Sequence, residues 1–110
     1  MPSSVSHLLP QVSFSILFGL SVKPRHGYEL LQQIRDDSAG HMQLGAGALY
    51  GTLKKLTADN LIEDMPFEGD PRRRYYRLTR AGWLRLNAEL VYYERIARLA
   101  RERHLVQPGS

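Results

Sequence analysis

The sequence contains no cysteine, so it offers neither a disulfide framework nor a thiolate metal site, a usage that fits the cytoplasm. It has no uninterrupted run of about eighteen apolar residues that would span a bilayer. The apolar N-terminal stretch is interrupted by Pro10, Gln11, Ser13 and Ser15, follows no basic region and shows no small-residue cleavage pattern. A soluble, cytoplasmic chain without an export signal is therefore expected, and no membrane partner. Catalytic constellations are missing too: no paired carboxylates, no nucleophile beside a base, no phosphate loop and no metal-ligand cluster stands at usable spacing. Asp36 and Asp37 are adjacent, which on a helix points them apart, and His26 is not read as part of a metal-ligand set. No enzyme, metal or cofactor is expected; His26 is read as bonding its loop or capping a helix.

What is present is charge, unevenly placed. The formal net charge is +4, unremarkable if spread evenly. Residues 71–110, however, hold ten arginines against three glutamates, whereas residues 1–70 carry a net charge of −3. Such a surplus suits a polyanion, although a long basic helix is equally a solvated face. A chain of 110 residues makes one domain with a modest core, and a partner chain would add much of its burial.

Residues 47–78 organise the rest. Leu49, Leu53 and Leu56 recur at helical spacing, while Gly47, Tyr50, Gly51, Lys54 and Lys55 fall toward the other side. Asn60, which tolerates the left-handed conformation, closes this helix. Residues 61–67 and 72–78 then read as two strands around Glu68, Gly69, Asp70 and Pro71, with Arg72, Arg73 and Arg74 opening the returning strand. A short helix followed at once by a basic hairpin outlines a winged helix, whose helix fits the major groove of double-stranded DNA. Tyr50 and Lys54, one turn apart, suit a phosphate oxygen and a base edge. The glycines either let the helix approach DNA closely or make room for a neighbouring helix.

Elsewhere, residues 1–9 are expected as a tail and 10–20 as an apolar first helix with more apolar surface than one contact uses. A second helix follows from Tyr28 to about Asp37, making 10–78 the DNA-binding unit. Thr79 is a good N-cap for a last helix within residues 79–106, and 107–110 form a second tail. Along that helix Trp83, Leu86, Leu90, Tyr93, Ala97 and Ala100 recur at spacings of three and four, the seam of a helix that pairs with another. A homodimer is expected, with Val12 and Ile16 of the first helix joining Leu86, Leu90, Tyr93, Ala97 and Ala100 at the interface. Trp83, Tyr92 and Tyr93 either line a pocket for a flat aromatic effector, which would lie near Trp83, Leu86 and Leu90, or pack in the dimer core. The fold expected is mainly α with a small β element: a winged helix-turn-helix with a long C-terminal dimerisation helix.

Four separate motifs, in this order, carry a family resemblance: Ile16 to Leu20; Pro24-Arg-His-Gly-Tyr-Glu-Leu30; Gly47-Ala-Leu-Tyr50 through Leu53-Lys-Lys-Leu56 to Leu61-Ile-Glu63; and Arg72-Arg-Arg-Tyr-Tyr-Arg-Leu-Thr79 with Gly82. Over about residues 10–100 the chain resembles the PadR family of bacterial transcriptional regulators, in its smaller subgroup with a single C-terminal helix. The resemblance implies a homodimeric repressor whose last helix meets the partner's first helix. It also implies DNA contacts from Tyr28, Tyr50, Lys54 and the arginine wing, and release by a phenolic or flat multidrug-type compound. Two departures stand out: Gly45-Ala46-Gly47-Ala48 has no phosphate-binding hydroxyl where the family usually has one, and Gly51 replaces a usual proline. DNA affinity here leans more on Tyr50, Lys54 and the wing. The alternative function is a winged helix without DNA binding, whose basic wing meets an acidic protein.

Overall fold

The computed structural model describes residues 7–65, 69 and 74–106. Helix α1 (Gln11–Leu20) starts at Pro10, whose missing amide proton costs nothing at a helix N-terminus. Helix α2 (Gly27–Asp37) opens with a reciprocal cap. The His26 Nδ1 accepts from the Glu29 amide at 3.4 Å, and the Glu29 carboxylate accepts from the His26 amide at 3.2 Å. His26 is thus a cap. Helix α3 (Ala46–Ala58) ends as expected: Asn60 is left-handed at φ 61°, and the Leu61 amide donates back to the Leu56 carbonyl at 3.0 Å.

The hairpin pairs β2 (Ile62–Met65) with β3 (Tyr75–Leu78) in the register Ile62 to Leu78 and Asp64 to Tyr76. The expected strands are longer, but most of the residues between β2 and β3, including Arg72 and Arg73, lie outside the described residues. A further strand, β1 (Arg25–His26), pairs with the other edge of β3, so the antiparallel sheet runs β1-β3-β2. Two residues between loop and helix carry no alternating pattern, which is why the sequence showed only a hairpin. Arg25 is buried there, its Nε donating to the Gly19 carbonyl at 3.0 Å and so tying β1 to the end of α1.

One core joins the elements: Ile16, Leu17 and Leu20 of α1, Leu30 and Ile34 of α2, Leu49, Leu53 and Leu56 of α3, Ile62, Tyr76 and Leu78 of the sheet, and Leu86 of α4 (Arg80–Glu102). Thr79 caps α4, its hydroxyl accepting from the Gly82 amide at 3.0 Å. Gly82 is required by packing, since a Cβ there would overlap the Leu61 carbonyl oxygen.

Two expectations about the partner interface need correcting. Ile16 is 0% and Leu86 1% exposed, so both are spent on the protomer's own core and neither is open to a partner or an effector. The α4 stripe is continuous in sequence, but its buried residues are Gly82, Leu86 and Glu89, and none of the described residues after Glu89 is buried, although Tyr93 still meets Phe14 of α1. Glu89 marks the changeover and escaped the sequence reading. Only 3% exposed, its carboxylate accepts from the Leu9 amide at 2.9 Å and from Arg85 Nε at 3.0 Å, while Arg85 also donates to the His7 carbonyl at 2.9 Å. This network fastens residues 7–9 to α4. Beyond it Leu90, Val91, Tyr92, Tyr93 and Ile96 are all exposed.

Removing Glu89 strands a partly buried guanidinium and a backbone amide. Glu89→Ala should therefore cost about 3 kcal/mol in urea denaturation, against about 0.5 kcal/mol for an exposed acid such as Glu94→Ala.

Candidate nucleic-acid interface

Because Leu49, Leu53 and Leu56 are buried, the opposite side of α3 faces solvent, and Gly47, Tyr50, Gly51, Lys54 and Lys55 all lie on exposed positions. A Cβ built on Gly45, Gly47 or Gly51 meets nothing within 4 Å. The reading in which Gly47 and Gly51 make room for a neighbouring helix therefore finds no such neighbour among the described residues. Gly45 caps α3 without a side-chain bond, so nothing replaces the hydroxyl missing from this helix start.

The structure brings Tyr28, Tyr50, Lys54 and Arg74 together. They line an open cleft of about 1020 Å³ between the start of α2, the second half of α3 and the base of the wing, with His26, Glu29, Asp64 and Tyr76. Tyr28 is 68% and Tyr50 51% exposed, so both rings stand half out of the surface. Lys55 is exposed outside this cleft.

The electrostatics are more balanced than the arginine count suggests. Arg74 pairs with Asp64 at 2.5 Å and Arg77 with Glu63 at 2.7 Å, both on the exposed hairpin, where such pairs add little stability. Among the described residues Lys54 and Lys55 have no ion-pair partner. Those two lysines are thus the uncompensated cations beside Tyr50. Under the cleft, burial first and then the Asp64 carboxylate push the Tyr76 hydroxyl above its ordinary tyrosine value, with Arg74 opposing them. Tyr76 therefore stays a neutral hydroxyl near neutral pH. Sequence reasoning missed Asp64 and Tyr76 as site residues, although they are cross-strand partners once the hairpin register is set.

The expected effector residues do not converge. Trp83 is 51% exposed near the start of α4 and Leu86 is core, whereas Leu90 lines a second cleft of about 510 Å³ with Phe14, Phe18, Met42 and Tyr93. Phe14 meets the Tyr93 ring edge-on at a centroid distance of 5.2 Å. No helix among the described residues is long and apolar enough to cross a membrane.

Among the described residues, four helices, of which α3 faces solvent beside the hairpin, and a three-stranded antiparallel sheet define a winged helix-turn-helix protein. Residues 16–88 match the signature of the transcriptional regulator PadR-like family, and the chain belongs to that family. Its members are transcriptional regulators rather than enzymes. The fold is similar to that of a PadR family transcription regulator from Clostridium difficile, with TM-score 0.73, 25% identity, and coverage of 84% of this chain and 97% of that one. It is also similar to a PadR-like regulator from Bacillus cereus, with TM-score 0.71, 20% identity, and coverage of 87% and 93%. Among curated proteins, an uncharacterized 37.1 kDa protein in transposon TN4556 of Streptomyces fradiae is 42% identical over 67 residues. That match covers 61% of this chain and 18% of the transposon protein.

With open space beside Gly51, Gly51→Ala should raise stability by about 0.5–1 kcal/mol in urea denaturation, because alanine restricts the unfolded chain and favours helix. A loss instead would mean that another molecule's atoms occupy that space in solution.

Proposed function

We propose that the protein is a homodimeric, sequence-specific DNA-binding repressor. The outer face of α3 enters the major groove, Lys54 reads a base edge, Tyr50, Lys55 and Tyr28 meet the backbone, and Arg72, Arg73 and Arg74 of the wing hold the adjacent groove. Gly47 and Gly51 let the helix axis come close. The observation that carries this reading is the α3 surface itself: two unpartnered lysines and a half-exposed tyrosine around glycines that face open space. Residues 10–78 then form the DNA-binding unit and 79–106 the dimerisation helix.

The dimer is supported by the later turns of a 23-residue α4, where Val91, Tyr92 and Ile96 stay exposed and Leu90 and Tyr93 are only partly covered by α1. Leu90, Tyr93, Ala97 and Ala100, with Val12 of α1, form the partner-facing seam. A small aromatic effector would act at that seam, near Trp83 or in the aromatic cleft beside Leu90, and release the DNA by changing how the two copies sit.

Duplexes selected from a random pool on the purified protein should converge on one palindrome, with affinity falling steeply as salt rises, because each neutralised phosphate releases counterions. Lys54→Ala should cost about 1–3 kcal/mol and change which sequence wins, while Arg73→Ala with Arg74→Ala should weaken all sequences and flatten the salt slope by about two units. A flat salt dependence in an anisotropy titration rules the reading out. In sedimentation velocity, Ala97→Glu should turn the dimer into a monomer that keeps its helical circular dichroism; an unchanged dimer would move the interface elsewhere.

A further inference from the structure

Gly27, the first residue of α2, was not singled out by its sequence context, yet it is buried directly under the recognition surface. Its backbone is not left-handed, so conformational freedom does not explain a glycine there. Space does. A Cβ at this position would lie 2.8 Å from Tyr50 Cζ and 3.2 Å from Cε1, and nearer still to the hydroxyl oxygen; the three nearest atoms all belong to Tyr50. The phenol of α3 therefore rests on the bare backbone at the start of α2.

That seat is rigid. The reciprocal cap between His26 and Glu29 fixes the first turn of α2, and the pairing of His26 with Tyr75 ties the same residue to the sheet. Tyr50 thus has the hydroxyl end and one edge of its ring against this backbone, while about half of the side chain, at 51% exposure, is open to solvent. A side chain held in its binding rotamer loses less freedom when it meets a ligand.

We propose that Gly27 is a positioning residue for DNA recognition: the missing side chain at the start of α2 forms the seat that sets the rotamer of Tyr50, and hence where its free edge meets the duplex. The inference rests on α3 being the DNA-facing helix. It predicts that a single methyl group placed under the ring removes the contribution of Tyr50 without harming the fold, because the ring can swing outward and alanine is the better helix former.

The test is a double-mutant cycle of Gly27→Ala, Tyr50→Ala and both together, with a duplex selected on the wild-type protein as probe and thermal melts alongside. Gly27→Ala should keep or raise the melting temperature yet lose roughly tenfold in affinity, about as much as Tyr50→Ala, and the double variant should bind no more weakly than Tyr50→Ala alone. Losses that multiply in the double variant, or a Gly27→Ala variant that binds like wild type, overturn the proposal. Should Gly27→Ala fail to fold, a folded double variant supports the contact, and an unfolded double variant refutes it. A wild-type protein that selects no duplex refutes the DNA reading itself, a result distinct from either.

Discussion

Burial of Leu49, Leu53 and Leu56 beneath α3 is the constraint on which the proposed DNA-facing surface depends. A helix cannot rotate without exchanging its buried and exposed stripes, and withdrawing three leucines from water holds the rotation with several kcal/mol. Once those three point into the core, Tyr50 and Lys54 have nowhere to go but outward. The sheet completes the arrangement: Tyr76 and Leu78 face inward from the central strand and leave Arg77 on its outer side, while Arg74, just before the strand, reaches Asp64 at the edge of the cleft.

Charge alone is a poor guide to this surface. The wing arginines look dominant in the sequence, yet Arg74 and Arg77 each face a carboxylate from β2, so part of their charge is cancelled before any polyanion arrives. In the proposed complex, competition between those carboxylates and a phosphate makes the wing a positioning element as much as a source of attraction. The uncompensated Lys54 and Lys55 sit on the helix, and glycines beside them leave the approach unobstructed. The loss of a hydroxyl and a proline from the family pattern around α3 is thus matched by an open backbone rather than by another polar group.

Much of this was legible in the sequence because it rests on local periodicity and punctuation. The apolar spacing and the caps at Pro10, Thr79 and Asn60 mark all four helices, and the turn residues after Phe67 mark the hairpin. What was not legible depends on distance. The short strand β1 exists only because β3 offers it an edge. Glu89 looks like a solvent residue until the Leu9 amide, far away in sequence, meets it. Ile16 and Leu86 lie on stripes whose spacing cannot say whether the facing surface is the same chain or another, and here it is the same chain. Gly27 was invisible for the same reason: its neighbour Tyr50 comes from the next helix.

The central claim is that the outer face of α3 is the surface covered by DNA. Lysine-selective chemical footprinting with and without a selected duplex tests it directly, because Lys54 and Lys55 carry free amines on that face. The account predicts that both become protected when DNA is bound. Equal reactivity of both lysines in the free and DNA-bound protein would contradict it.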